Sequence, residues 1–324
     1  MITGFLGAGK TSLLRDALRR GALVDTALVV NEFGEVALDD LVLRSVTDRV
    51  AVLGGGCVCC SVLDDLAQTV AEILDQAARG ELPAPRRIVI ETSGLADPSP
   101  LVTTLSDDPR IQDRVRPDGV VTVLDAEHAD LALTRNPEAR RQVLAADLLV
   151  LNKTDLATPE ALSALRARVT EMNPVALVDA TSHGRVDPAR WSGLMRRPLG
   201  RSDLAALTLR RPEARHSDGV RAFSLDLDGS VQWTSFALWL SLLTQMNGEG
   251  LLRFKALLHV RGEALPVLVH AVGHSVYPAE MLAAWPDEGR GTRMVFITQG
   301  WSDAFFAQVR DAASALIGTA PQAP

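Results

Sequence analysis

Short apolar runs alternate with helical stretches along the first half of the chain. The runs are rich in Val, Ile and Leu and mostly continuous, which is typical of strands buried on both faces. They predict strands at residues 27–31, 49–53, 87–91, 119–125, 147–152 and 174–179. Helical spacing predicts helices at residues 10–20, 62–79, 138–146 and 159–172. This alternation predicts an α/β domain over residues 1–184 with a mainly parallel sheet, because βαβ crossovers connect parallel strands.

The pattern changes after residue 184. Residues 185–214 contain many arginines, prolines and glycines without clear periodicity, and we interpret them as a linker. Beyond it, Phe223, Leu225 and Leu227 alternate at strand period, and a helical pattern begins at Trp233. Strands at 251–260, 266–272 and 294–298 and a helix capped by Ser302 follow. We expect a smaller α+β domain over residues 215–324.

The composition is that of a soluble globular protein and argues against several functions. The chain has 324 residues, 47% of them hydrophobic, with a formal net charge of −7 and a pI near 5.4. Such a chain lacks the basic surface that general nucleic-acid binding requires. No apolar run approaches the ~20 residues of a membrane helix, and no export signal opens the chain. We therefore expect a cytoplasmic protein with neither a nucleic-acid nor a membrane partner.

Residues 4–11 read GFLGAGKT and match the phosphate-loop pattern G-x-x-x-x-G-K-[ST] completely. The glycines let backbone N–H groups converge on phosphate oxygens at the positive end of the following helix. Lys10 would bind the terminal phosphates, and the Thr11 hydroxyl would ligate Mg²⁺. The nucleotide-binding residues expected here are Gly7, Ala8, Gly9, Lys10, Thr11 and Ser12.

Only Met1, Ile2 and Thr3 precede this loop, although a phosphate loop normally follows a complete strand. Two interpretations are open. Either the first strand is very short, in which case we expect the sheet to lose a central strand, or the true start lies upstream.

A second motif concerns the base. Residues 152–155 read NKTD, follow a predicted strand and match N-K-x-D. One carboxylate can accept both donors on the N1–N2 edge of guanine, whereas adenine has no donor at N1, so Asp155 favours GTP over ATP. Asn152 would hold the loop or the N7 side of the base, and the stem of Lys153 would lie along the ring.

The predicted strand at 87–91 ends in an acid, Glu91, with Gly94 three residues later. Such an acid lies opposite the phosphate loop and can hold the Mg²⁺ shell or the attacking water, although a glutamate at a strand end is also common as a structural residue. Gly94 could offer its N–H to the γ-phosphate and so detect its loss. No glutamine follows in the place where some GTPases orient water, so we expect slow intrinsic hydrolysis.

The three cysteines, Cys57, Cys59 and Cys60, lie within four residues after a run of glycines. Three thiols at this spacing can surround one soft or borderline ion and leave a fourth position, for which Glu35 is the best candidate. Two alternatives are that the cysteines are small buried apolar residues or that they perform redox chemistry. An odd number of clustered cysteines excludes a disulfide framework.

Together these motifs resemble the CobW family of P-loop GTPases, relatives of the urease and hydrogenase nickel-insertion GTPases. The resemblance depends on residues 4–12 (GFLGAGKTS), 31–36 (NEFGEV), 55–60 (GGCVCC), 91–98 (ETSGLADP) and 152–155 (NKTD). It implies that Glu32 lies near the Mg²⁺ site and that the three cysteines form the metal site. It also implies a metal-binding GTPase with zinc, and sometimes cobalt or iron, as its cargo.

The hypothesis from the sequence is a GTP-hydrolysing metallochaperone or metalloenzyme activator that uses GTP, Mg²⁺ and Zn²⁺ (or Co²⁺). Its partner would be a client metalloprotein that the sequence does not identify, and an oligomer that depends on nucleotide or metal is compatible with this hypothesis. One alternative is a regulatory or assembly GTPase whose zinc is purely structural. Another is a small-molecule kinase, in which N-K-x-D would have no use.

Overall fold

The structure is a computed structural model that describes residues 1–30, 50–52, 61–191, 193–195, 197 and 219–316. It divides into two compact units, one of Met1–Thr170 with Ala176–Met195 and one of Glu171–Val175 with Arg196–Pro324. Among the described helices, none is both long enough and apolar enough to cross a membrane. The domain limits inferred from the sequence remain a prediction.

The described part of the first unit is built around a sheet of seven parallel strands. The strands are β1 Ile2–Thr3, β2 Thr26–Val30, β3 Val50–Val52, β4 Arg87–Glu91, β5 Val121–Asp125, β6 Leu148–Asn152 and β7 Leu177–Ala180. Its helices are α1 Lys10–Arg19, α2 Ser61–Ala78, α3 Pro98–Asp107, α4 Ala129–Arg135, α5 Pro137–Ala145 and α6 Pro159–Met172. The spatial order is β3-β2-β4-β1-β5-β6-β7, which confirms the predicted α/β class. The sequence pattern did not predict the seven-residue helix α4.

Both faces of this sheet are covered, which explains why its strands read as continuous apolar runs. On β2, Leu28 and Val30 pack in the same cluster as residues of α1. The alternate residues Ala27 and Val29 pack in another cluster with residues of α2 and α3. Every residue of β2 and β6 is buried, so neither strand has a polar face in its sequence.

The first strand is short but it occupies the centre of the sheet. Ile2 pairs with Glu91 of β4 on one side and with Val121 of β5 on the other. The hydroxyl of Thr92 also donates to the hydroxyl of Thr3 at 2.8 Å. The expectation that a very short strand would leave the centre empty is therefore wrong, because two residues are enough to bridge β4 and β5.

The second unit contains an antiparallel sheet with helices on one face, which confirms the smaller α+β class. Its strands are β8 Val220–Leu227, β9 Leu251–Leu258, β10 Val267–Val272, β11 Ser275–Val276, β12 Glu280–Met281 and β13 Thr292–Gln299. Their order is β11-β10-β9-β13-β8, with β12 paired to β10. Residues of α7 (Trp233–Asn247) and α8 (Asp303–Ala315) pack on an aromatic core in which the rings of Phe223 and Phe296 stack at 4.4 Å. Ser302 caps α8 by accepting a hydrogen bond from the N–H of Phe305.

Candidate nucleotide site

The phosphate loop connects β1 to α1 at the carboxyl edge of the parallel sheet, where open α/β sheets bind ligands. Gly9 is the N-cap of α1 and has φ of 99°, a left-handed conformation that glycine adopts without strain. A Cβ at Gly9 would lie 2.3 Å from Nδ2 of Asn152, so no larger residue fits there. The ammonium of Lys10 donates to the carbonyl of Gly4 at 3.0 Å, which keeps the charge over the loop.

Thr11 and Glu91 meet across this edge, although 80 residues separate them. The Thr11 hydroxyl donates to Oε1 of Glu91 at 2.7 Å, and the Glu91 side chain is buried at the end of β4. A hydroxyl and a carboxylate in contact, beside the lysine of a phosphate loop, are the oxygen donors that Mg²⁺ prefers. The residues present therefore fit a magnesium ion.

Asn152 contacts the phosphate loop directly. Its Nδ2 donates to the carbonyl of Ala8 at 3.0 Å, and its Oδ1 accepts from the N–H of Gly184 at 2.9 Å. The side chain is 2% exposed, so both polar ends are used within the protein. Of the two roles considered from the sequence, this geometry favours holding the loop over contacting the base.

Lys153 and Asp155 occupy the turn that follows β6. Lys153 has φ of 59°, and its ammonium lies 2.7 Å from Oδ2 of Asp125, the last residue of β5. Burial raises the pKa of Asp125, but hydrogen bonds from Lys153 and from the N–H of Glu127 outweigh that effect and hold the pKa below its ordinary value. Asp155 is exposed and therefore accessible to a base. Sequence reasoning missed Asp125, although its place at the end of the neighbouring strand was a usable signal.

A loop after β7 completes this edge and was also missed from the sequence. The carbonyl of Thr181 accepts from the N–H of Thr154 at 3.2 Å, within the N-K-x-D turn. A Cβ on Gly184 would lie 2.9 Å from the Cα of Leu13 in α1, so this loop packs closely behind the phosphate loop. The signal would have been the position of residues 181–184 directly after the last strand of a parallel sheet.

Gly94 lies in the loop between β4 and α3 and is buried. The carboxylate of Asp97 caps α3 by accepting from the N–H of Ser99 at 2.9 Å. The structure therefore brings together Lys10, Thr11, Glu91 and Gly94 at the phosphate end. Ser12, in the first turn of α1, is exposed.

The ligands predicted for the cargo metal lie outside the described residues, and they are Glu35, Cys57, Cys59 and Cys60. Glu32, which the resemblance places near the Mg²⁺ site, also lies outside the described residues.

One further group of metal-ligating type occurs among the described residues. Asp125, Glu127 and His128 place one ligand atom each within 4.8 Å of one another. Glu127 and His128 are exposed and Asp125 is engaged by Lys153, so we interpret this group as support for the N-K-x-D turn.

Two family models match the chain. The model described as CobW/HypB/UreG, nucleotide-binding domain, matches residues 1–179. The model described as cobalamin synthesis protein cobW C-terminal domain matches residues 220–313.

The chain is also similar to individual proteins. It is 33% identical over 301 residues to the zinc chaperone YjiA of Escherichia coli, covering 92% of each chain. It is 37% identical over 194 residues to the zinc-regulated GTPase metalloprotein activator 1 of Schizosaccharomyces pombe, covering 58% of this chain and 46% of that one. The crystal structure of Zn(II)-bound YjiA GTPase from E. coli superposes with a TM-score of 0.69 at 28% identity and covers 98% of both chains.

Proposed function

The chain belongs to the CobW/HypB/UreG family of P-loop GTPases, and from this premise we propose that it carries a metal ion, chiefly zinc, and couples GTP hydrolysis to transfer of that ion. The recipient would be a client metalloprotein, so the protein would act as a metallochaperone or metalloenzyme activator. Support comes from the names of its relatives, a zinc chaperone and a zinc-regulated activator. The cytoplasmic location expected from the sequence remains part of this proposal.

At the phosphate end, Lys10 would bind the terminal phosphates of GTP, and Thr11 and Glu91 would hold Mg²⁺. When bound, Mg²⁺ neutralises the charge that develops on the phosphate oxygens. The contact of 2.7 Å between Thr11 and Glu91 supports this pairing. Asp155 would select guanine, and the salt bridge between Lys153 and Asp125 would orient the turn that presents it.

The register of the sheet is the observation that carries the proposed coupling. Val30, the last residue of β2, pairs with Val52 of β3 on one side and with Glu91 of β4 on the other. The three strands therefore end in one row at the carboxyl edge, with neighbouring strands about 4.8 Å apart. The chain leaves β2 toward Glu32 and Glu35, and leaves β3 toward the cysteines, both from that row. Val30 and Val52, the last described residues before the two proposed ligand segments, thus lie within two strand spacings of Glu91.

This arrangement supports linkage between nucleotide and metal. If the γ-phosphate changes the arrangement of the segments that start from this row, the metal affinity would differ between the GTP-bound and GDP-bound protein. Thermodynamic reciprocity then requires the metal to change the relative affinity for the two nucleotides by the same factor. Hydrolysis would release the ion by converting the GTP-bound protein, which binds the metal more tightly, into the GDP-bound protein.

Titration of the metal-free protein with Zn²⁺ or Co²⁺ tests this proposal. It would be done without nucleotide, with GDP, and with the non-hydrolysable analogue guanosine 5′-[β,γ-imido]triphosphate, with Mg²⁺ present. We expect one thiolate-coordinated metal per chain and an affinity ratio of about 5–150 between the two nucleotide states. Cobalt adds a thiolate absorption band that reports on the ligands.

The Cys57, Cys59 and Cys60→Ser triple variant identifies the site, and Glu35→Gln tests the fourth ligand. The chain has no other cysteine, so the triple variant should lose the thiolate band completely. Full metal affinity in this variant would refute the cysteine assignment. Equal metal affinity with GDP and with the analogue would favour the alternative, a GTPase with a structural zinc. Equal rates with ATP and GTP would favour a kinase-like protein instead.

A further inference from the structure

A buried glutamine outside the recognised motifs contacts the loop that contains Gly94. Gln142 lies on α5 and is 0% exposed. Its Nε2 donates to the carbonyl of Gly94 at 3.2 Å and to the carbonyl of Ala96 at 3.0 Å. Two carbonyl oxygens at this distance from one atom require a donor, so the orientation of the amide is determined by its partners.

The same segment of α5 is itself held firmly. The carbonyl of Gln142 accepts a hydrogen bond of 2.7 Å from the hydroxyl of Thr122, which lies in β5. The next residue toward the amino terminus, Arg141, extends its guanidinium to within 3.5 Å of the Asp97 carboxylate. The loop between β4 and α3 is therefore attached to α5 at Gly94 and again at Asp97.

On its opposite side Gly94 touches the phosphate loop. A Cβ at this position would lie 2.8 Å from the backbone nitrogen of Leu6 and 2.9 Å from its Cα. Cδ2 of Leu6 would lie even closer, at 2.6 Å, but no side chain fits in that space because the other two nearest atoms belong to the backbone. Gly94 is thus held between the Gln142 amide and the backbone of Leu6.

The amide of Gln142 also has an acceptor that the described residues leave unused. Its Oε1 is buried and accepts no hydrogen bond from the described part of the chain. A buried acceptor without a donor is costly, and native proteins retain few such atoms without a reason. An acceptor beside a loop that must detect the γ-phosphate can receive a backbone N–H when that loop changes position.

We propose that Gln142 is a positioning residue for GTP hydrolysis: its amide holds Gly94 against the phosphate loop, where the N–H of that glycine can reach the γ-phosphate. This inference rests on the proposed binding of GTP at the phosphate loop. It predicts an effect that depends on the γ-phosphate, because GDP has no group for Gly94 to contact. A residue that only filled the core would affect GTP and GDP alike.

The test compares Gln142→Leu with the wild type in full-length protein. Affinities for GDP and for guanosine 5′-[β,γ-imido]triphosphate are measured with Mg²⁺ present, together with kcat and KM for GTP. We expect the affinity for the analogue and kcat each to fall about tenfold, since two hydrogen bonds to the loop are lost, with the GDP affinity unchanged within about twofold. Gln142→Glu, which turns the donor into an acceptor facing two carbonyls, should reduce kcat at least as much.

Val143→Ala is the matched control, because it removes buried volume from the next position of the same helix without removing a side-chain donor. Thermal unfolding of all three variants shows whether they fold. Parallel loss of GDP and analogue affinity, or the same kinetic defect in Val143→Ala, would overturn the role of Gln142. If a folded Gln142→Leu variant keeps both the wild-type kcat and the wild-type ratio of analogue affinity to GDP affinity, the role of Gln142 is overturned as well. If the wild type itself does not bind GTP, the proposed function fails, which is a different outcome.

Discussion

The two sheets of this protein place their polar residues differently. In the parallel sheet of the first unit, the candidate nucleotide-site residues lie at strand ends, as in Glu91 of β4 and Asn152 of β6. In the antiparallel sheet of the second unit, charged residues lie within the strands and are buried, as in Arg253 and Lys255 of β9 and Arg293 of β13. Both units therefore bury polar groups, but at different positions along their strands.

The direction of the strands accounts for this difference. Parallel strands all end at the same edge, so residues distant in sequence meet there and the loops that follow can surround a ligand. Antiparallel strands end at alternating edges, so a residue at one strand end has no similar neighbours. A charge within such a strand instead supports local structure. Arg293 illustrates this, since its two terminal nitrogens lie 2.8 and 2.6 Å from the two carboxylate oxygens of Asp287.

The largest effect that would test this contrast comes from Lys10→Ala. The ammonium of Lys10 sits over the phosphate loop, and removing a group that stabilises transferring phosphate typically costs about 10²–10³-fold in rate. We expect kcat/KM for GTP to fall by about that factor while the unfolding free energy changes little. Steady-state phosphate release and urea denaturation measure the two quantities. Arg19→Ala, an exposed cation at the end of the same helix, serves as the control and should keep the wild-type rate.

Arg293→Met should lower the stability of the protein and leave the rate of GTP hydrolysis nearly unchanged, which is the opposite of the result expected for Lys10→Ala. It removes a fully buried guanidinium that also donates to the carbonyl of Gly289, and it leaves Asp287 without this partner. The Asp287 side chain stays 28% exposed, so losing this pair should cost about 1.5–3 kcal/mol, and the second unit should unfold at lower denaturant concentration. GTP hydrolysis by the first unit should stay within about twofold of the wild type. A large loss of kcat for GTP in the folded variant would contradict the view that Arg293 supports only the structure of the second unit.

The matched double variant, Arg293→Met with Asp287→Leu, removes both charges of this pair. It should recover part of the lost stability, because no carboxylate is then left without its guanidinium. If the double variant loses more unfolding free energy than the two single variants lose together, Arg293 and Asp287 do not form a local structural unit.

Asp155→Asn sharpens the assignment within the first unit. The exposed carboxylate would accept two hydrogen bonds from guanine, and hydrogen bonds to a charged group contribute about 1.5–3 kcal/mol. We expect GTP affinity to fall about 10–100-fold and xanthosine triphosphate to bind better than before, because xanthine has a carbonyl where guanine has its amine. Competition against a fluorescent guanine nucleotide measures both. Unchanged preference for guanine would exclude Asp155 from base recognition.

The smallest effect concerns a charged group of the first unit away from the nucleotide edge. The side chain and the N–H of Arg110 donate to Asp108 and lower the pKa of that carboxyl to about 2. Because the pKa is lowered on folding, the stabilisation is present above pH ~4 and is lost as the pH falls through about 2. Asp108→Asn should therefore reduce stability at pH 5 only slightly, as is usual for ion pairs near the protein surface. The difference from the wild type should vanish near pH 2 in acid unfolding curves, with GTP hydrolysis at neutral pH unchanged.

Most of the fold and part of the site could be predicted from local pattern. The helix at 159–172 and the strand at 87–91 have the predicted bounds, because their apolar spacing and their flanking residues agree. The phosphate loop and N-K-x-D were recognisable because each is a run of consecutive residues with fixed spacing. The two-residue strand β1 could not be predicted, since its stability comes from β4 and β5 on either side.

The sequence by itself determined the family, the nucleotide motifs and the candidate metal ligands, because these depend on residue type and short spacing. Only the tertiary structure decided which distant residues support them, as Gln142 does for Gly94 and Asp125 does for Lys153. A glutamine in a helix carries no signal of its own, and an aspartate at a strand end marks an edge of the sheet without identifying its partner. Their roles arise when the parallel strands bring their ends together, and no local pattern encodes that proximity.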